Sequence, residues 1–155
     1  MDWFVKAFVK ASISWLGLGV TLGIAMIVHP AWTVHRTAHL HMNLLGFVAM
    51  MIFGVAYHVI PRFTGHSLHS RRLAGVHWWI ANAGLACMAA GFMMIRGPGA
   101  LRMVLLATGG SLSALGAYSF IYNIWRTIDG RVAATARAQP ATPAPRRLPV
   151  NEAVP

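Results

Sequence analysis

His39 and His41 stand one residue apart at the head of a stretch that carries no Asp, Glu, Lys or Arg until Arg62. Imidazole ligates haem iron and redox metals, and a polar ring at membrane depth is costly enough to mark function. On a regular helix each residue advances about 100°, so the two rings project about 200° apart, toward nearly opposite faces. They cannot chelate one metal ion between them. They can address two separate partners, one on each side, as two flat cofactors flanking a helix would require. The plainer alternative is that one ring bonds to a carbonyl while the other snorkels to the interface.

The other chemistry-bearing residues are weaker candidates. His29 and His35 precede the pair and would share its end of the helix, where either could supply a second ligand or sit solvated. Arg36 is the natural partner for carboxylates on a cofactor, because a guanidinium pairs with them bidentately. His58 follows His41 at about 25 Å along a helix axis, at about 1.5 Å per residue, and so belongs to the opposite end. His66 and His69 read as solvated loop residues, and His77, beside Trp78, as interfacial packing. The methionines are scattered over three apolar segments, which suits plastic packing better than copper ligation. Cys87 is the one cysteine, so disulfide frameworks and thiolate clusters are excluded. The three acids, Asp2, Asp129 and Glu152, all fall outside the apolar segments, which excludes paired-carboxylate catalysis within this chain.

The elements that must position the histidines are set by composition. At 155 residues and 57 % hydrophobic content the chain is too short for two ordinary domains and too apolar for a soluble one. Charge-free runs at Ala11 to Val28, Thr37 to Pro61, Leu73 to Ile95 and Met103 to Trp125 each approach the roughly 20 residues that cross a bilayer core. The expected fold is therefore all-α, an integral membrane four-helix bundle spanning 1-129, with helices over about 4-28, 37-60, 73-95 and 101-128. The first run is too long for a secretory signal, and Pro30-Ala31-Trp32 is a poor cleavage site, so it reads as a retained helix. Pro61 should end the second helix. Gly17, Gly19 and Gly23 in the first span, and Gly109, Gly110 and Gly116 in the last, offer notches for close helix approach. Tyr118, Tyr122 and Trp125 form an aromatic belt. Arg96-Gly97-Pro98-Gly99 is a turn. From 130 to 155 Ala, Pro, Thr and Arg dominate without periodicity, which reads as a disordered tail.

The net charge of +10 would suggest nucleic acid in a soluble protein, but here the thirteen basic residues sort by membrane side, and no nucleic-acid partner is expected. Lys6, Lys10, Arg62, Arg71, Arg72, Arg126, Arg131, Arg137, Arg146 and Arg147 fall on one side, and Arg36, Arg96 and Arg102 on the other. The excess of positive charge places both termini in the cytoplasm, and His39 and His41 near the outer face.

The surroundings of the pair carry a resemblance. Thr37-Ala38-His39-Leu40-His41, then Gly46-Phe47-Val48-Ala49-Met50, then Phe53 to Arg62 with Tyr57 and Pro61, resemble the tenth helix of the catalytic subunit of haem-copper oxidases, in particular the C-family (cbb-type) cytochrome c oxidases and the related nitric oxide reductases. Leu68-His69-Ser70, Arg72-Leu73, His77-Trp78-Trp79 and Gly84-Leu85 are similar to the start of that family's eleventh helix. Arg102, Gly109-Gly110, Gly116, Tyr122-Asn123 and Thr127-Ile128 are similar to its last helix. The resemblance covers about residues 35 to 128. It implies that His39 ligates the iron of a high-spin haem and His41 that of a low-spin haem, with one or two haem b groups as cofactor. It also implies far more helices than four, a second low-spin ligand, three copper-ligating histidines and a cross-linked tyrosine. No segment here matches those parts, so copper is not expected from this chain alone.

The expected function is thus a haem b-binding protein of the bacterial inner membrane, resembling cytochrome c oxidase subunit I and transferring electrons near the outer face. One helix supplies one histidine per face, so the second axial ligand must come from His29, His35, another copy of the chain or a larger oxidase-type subunit. A second possibility is a subunit of a split terminal oxidase or nitric oxide reductase, an oxidoreductase only once completed by that partner. A third is a cofactor-free structural or assembly partner, for which His39→Ala and His41→Ala would leave haem content unchanged.

Overall fold

In the computed structural model, residues 1–94 and 98–130 are described. Helix α1 covers Trp3–Val28, a 3-10 segment covers Pro30–His35, and α2 covers Arg36–His41. A π-helical stretch, Met42–Ala49, joins α2 directly to α3, Met50–Thr64. Helix α4 covers Arg71–Met93 and α5 covers Gly99–Ile128. Pro30–Thr64 is therefore one long second span, and four segments are long and apolar enough to cross a membrane. The described residues contain no strand, so the fold is an all-α, four-span membrane bundle. The expected tail and most of the Arg96-Gly97-Pro98-Gly99 turn lie outside the described residues.

Pro61 does not terminate the second span, which continues to Thr64 and stops at Gly65 with φ +68°. Proline removes the N–H that would close on the Tyr57 carbonyl, but its fixed φ is helical, and the three residues after it still complete the last turn. Arg62 Nη1 donates to the His58 carbonyl at 2.8 Å, and Thr64 Oγ1 to the Ile60 carbonyl at 3.0 Å. The true stop is the left-handed conformation at position 65, which glycine adopts without steric cost.

The main core lies toward the end where α1 begins. Phe4, Val5, Phe8, Met50, Tyr57, Ala74, Leu85 and Ile124 are buried together there, with Phe53 and Phe120 packed around them. Helices α4 and α5 meet backbone to backbone: a Cβ on Gly109 would stand 2.7 Å from the Gly84 carbonyl oxygen. Small residues at such crossings bring helix axes close where lipid supplies no hydrophobic drive. Trp15 Nε1 donates to Asn82 Oδ1 at 3.1 Å, tying α1 to α4.

The connection before α4 is pinned to α5. Ser70 N–H donates to Asn123 Oδ1 at 2.9 Å, and Asn123 Nδ2 donates back to the Ser70 carbonyl at 2.9 Å. The His69 N–H donates to Thr127 Oγ1 at 3.0 Å. Ser70 Oγ in turn accepts the Leu73 N–H at 3.1 Å, capping α4. Leu18, Ile24, Leu44, Ile52, Leu115, Tyr118 and Trp125 are exposed, the surface expected where lipid or another subunit covers the bundle.

Candidate functional site

Both histidines of the pair lie on α2, in regular helix just before the π-helical stretch begins. Their different headings are visible in their neighbours. His39 is turned to α1, where its Nδ1 lies 2.8 Å from the Gly19 carbonyl oxygen. His41 is turned to α4, its ring 4.7 Å from that of Phe92, with Nδ1 2.8 Å from the Thr37 carbonyl oxygen one turn back. A carbonyl only accepts, so in both rings Nδ1 carries the proton and Nε2 holds the lone pair. This is the tautomer of a metal-ligating histidine whose second nitrogen is anchored on the backbone.

Glycines make the His39 pose possible. A Cβ at Gly23 would stand 2.9 Å from the His39 ring, and one at Gly19 would stand 2.7 Å from the Asn43 amide. Asn43 Nδ2 donates to the His39 carbonyl at 2.9 Å, and that amide reaches His39 Nε2 only at a long 3.4 Å. Among the described residues, the Nε2 of His41 has no hydrogen-bond partner. Asn43 therefore competes for the carbonyl that the α-ladder would use at this position, where the backbone passes into π geometry. Such π segments frequently sit at functional sites.

An open groove of about 610 Å³ runs along α1 and α2 beside His39, lined by Gly23, Ile24, Met26, Ile27 and Leu40, with Arg36 at its rim. The expected carboxylate partner and one of the expected ligands thus share one surface. Phe92 stands against His41 instead. His29 and His35 cluster on Trp32 in the 3-10 segment, at ring separations of 6.0 Å each. Among the described residues, no three His, Cys, Asp or Glu side chains come together as a metal cluster. The apolar lining, the His39 imidazole beside it and the Arg36 guanidinium would suit a haem and its carboxylates. It would find only one wall of a site here.

Several other sequence expectations change. His77 is not interfacial: it is fully buried within the bundle, beside Phe8, Phe53 and Phe120, and the Tyr57 hydroxyl lies 3.0 Å from its Nδ1. The ring was misjudged because a histidine next to two tryptophans looks like a belt, whereas helical phase places His77 inward and Trp79 outward. His66 and His69 are half-buried, His66 against Gly130 and His69 edge-on to Tyr122 at 5.6 Å. His58 is held by Arg62, whose Nη1 is 2.6 Å from its Nδ1. Gly17 and Gly110 face open space, so only part of the expected notches receive a neighbour.

This is the architecture of a polytopic membrane protein that presents a histidine pair at one end of its second span. No protein-family model matches the chain. It is similar to the Cbb3-type cytochrome c oxidase subunit CcoN1 of Stutzerimonas stutzeri, at 28 % identity over 81 % of this chain and 33 % of that protein. It is also similar to cytochrome c oxidase subunit 1 of Rhodobacter capsulatus, at 28 % identity over 73 % of this chain and 25 % of that protein. A homologue of the same subunit in Agrobacterium tumefaciens is 35 % identical over 60 residues. The chain spans a quarter to a third of the length of the first two relatives. It is an integral membrane protein resembling subunit 1 of the haem-copper oxidases, over a fraction of their length.

Proposed function

We propose that this chain binds haem b at its His39–His41 end and carries electrons there. The observation that supports this reading is the shared state of the two rings: each has Nδ1 anchored on a backbone carbonyl and Nε2 left as a lone pair. The His39 bond crosses to α1 and fixes that ring between two helices, while the His41 bond closes on its own helix one turn back. Bound haem would supply one-electron chemistry. The chain's own residues then do five things. His39 and His41 hold their rings at fixed headings toward α1 and α4, and Gly19 and Gly23 admit the His39 ring. Phe92 flanks His41, Arg36 pairs with carboxylates, and the apolar groove excludes water. By the resemblance His39 takes the high-spin iron and His41 the low-spin iron. Both termini face the cytoplasm of a bacterial inner membrane, and the pair lies near its outer side.

The groove is one wall, so a second body must close it: another copy of this chain or a larger oxidase-type subunit. The second is favoured by the relatives themselves, which are named as oxidase subunits. In that reading the chain is one subunit of a split oxidase or nitric oxide reductase, and enzymatic activity belongs to the assembly.

The test is a reduced-minus-oxidised absorption spectrum, with and without carbon monoxide, on the wild type, His39→Ala and His41→Ala after haem-replete expression. A haem b spectrum lost in one or both variants supports the proposal, and carbon monoxide binding that disappears in one variant assigns the open iron. A purified wild type without haem, alone and with co-purifying subunits, would overturn it.

A further inference from the structure

At the end of the bundle where α1 begins, an open hollow of about 370 Å³ is walled by Asp2, His58, Arg62, Ser67 and Arg71. Asp2 is the only acid on this wall, and it pairs with Arg71, the one ion pair among the described residues. Arg62 therefore has no acid partner there. Its Nη1 donates to the His58 carbonyl at 2.8 Å and to His58 Nδ1 at 2.6 Å, and both acceptors are neutral. Nη2 and Nε of this exposed guanidinium have no acceptor among the described residues. Because His58 Nδ1 accepts, the ring proton sits on Nε2, which makes His58 a second donor on the wall. The exposed Ser67 hydroxyl is a third. Such a set of donors, with one guanidinium left uncompensated, calls for an anion.

The surroundings say which kind. Trp3, next to Asp2, is exposed, as befits a residue type at home at headgroup level. Phe63, next to Arg62, is 87 % exposed, a position suited to lipid rather than to water. On α3, the half-buried Met51 and the exposed Val55 stand in line with His58 and Arg62, at intervals that keep to one helix face. This stripe is about 16 Å long at about 1.5 Å per residue, half of the roughly 30 Å hydrocarbon core. Its apolar half matches an acyl chain and its basic end a headgroup. A soluble anion would leave the apolar half unused. A zwitterionic headgroup would bring an ammonium against Arg62 and Arg71, with Lys6 one turn along from Asp2 and Arg72 beside Arg71.

We propose that this hollow binds the headgroup of an anionic phospholipid from the surrounding bilayer, one molecule per chain. The phosphate accepts from Arg62, His58 and Ser67, and an acyl chain runs along Val55 and Met51. Asp2 keeps Arg71 at the rim, so that the wall carries one free guanidinium and one neutralised one. None of these residues belongs to the His39–His41 end, and the lipid site stands whether or not the chain holds haem.

The experiment titrates the full chain, in an uncharged detergent, with dioleoyl phosphatidylglycerol, dioleoyl phosphatidylcholine or inorganic phosphate, and counts bound molecules by native mass spectrometry. Phosphatidylglycerol should bind one per chain, about tenfold tighter than phosphatidylcholine of the same acyl chains. Millimolar phosphate should neither bind nor displace it. Arg62→Gln should weaken phosphatidylglycerol about tenfold, the share of one charge-assisted hydrogen bond, while Arg102→Gln at the other end should not. Ser67→Glu keeps Arg62 and adds a repelling charge on an exposed loop, so it should weaken binding by a similar factor even where Arg62→Gln fails to fold. Equal retention of phosphatidylcholine, displacement by phosphate, or unchanged phosphatidylglycerol binding in folded Arg62→Gln or in Ser67→Glu would each overturn the proposal.

Discussion

The two ends of this bundle are built on different terms. Around Tyr57 and His77 the aromatic rings of Phe4, Phe8, Phe53 and Phe120 close on one another, all four spans contribute, and the polar atoms at the rim are tied by Asn123, Thr127 and Ser70. Around His39 and His41 the buried set shrinks to Leu22, Ala38, Met42 and Ala89, while Ile24, Ile27, Val28, Trp32 and Leu40 stay exposed. One end is a finished core. The other holds ligand-type rings in place but leaves their surroundings open. The contrast separates two jobs: stability resides where the chain begins, and the capacity to bind resides at the far end, where packing is left for something else to complete.

Mutations at the two ends should therefore fail in different ways, and the largest effect should fall in the core. Phe8→Ala removes a fully buried ring from its three ring neighbours, Phe53, Tyr57 and His77, and should cost about 3–5 kcal/mol, read by denaturant unfolding in detergent. Gly109→Val puts branched bulk against the Gly84 backbone and should cost about 1–3 kcal/mol, with loosened α4–α5 packing visible in hydrogen exchange. Asn123→Ala strips two hydrogen bonds from Ser70 and should cost about 1–3 kcal/mol, fraying the start of α4 first. Gly23→Ala should change stability little, within about 0.5 kcal/mol, yet push the His39 ring off α1 and lower haem retention. His41→Ala should likewise leave unfolding within about 0.5 kcal/mol while changing the haem spectrum. If His41→Ala or Gly23→Ala destabilised the protein as much as Phe8→Ala, the division between a stability end and a binding end would be wrong.

Much of this fold is written in hydropathy. Four long apolar runs separated by Arg, Gly and Pro are enough to give four spans, and the opposed headings of His39 and His41 follow from helical phase alone. Boundaries were less legible, because Pro61 looks like a stop, whereas the helix runs on to Thr64 and ends at the left-handed Gly65. The π-helical stretch was not legible at all. Met42–Ala49 has the composition of any membrane helix, and only Asn43, four residues after His39 and able to reach back to its carbonyl, hinted at a departure. The burial of His77 was missed for a related reason: the sequence shows a polar residue among tryptophans, whereas its partner Tyr57 lies twenty residues away on another helix. Asn123 and Thr127 stood out only as part of a family-like pattern, and their task of clamping Ser70 emerges from the packed helices.

The π-helical stretch also uncouples the angular settings of the two ends. A π turn takes in one more residue than an α turn for each hydrogen bond closed. Wound as α geometry at the same length, Met42–Ala49 would turn about one residue further round the axis while Met50–Thr64 stayed seated on Phe8. His39 and His41 would then be swung by about 100° around the helix axis, away from α1 and Phe92, whereas deleting one residue along with the change would leave their headings where they are. The stretch thus works as a vernier between a fixed base and a movable pointer. A change of helix type there can re-aim the ligands through a large angle without altering one side chain of the core that holds the helix in place.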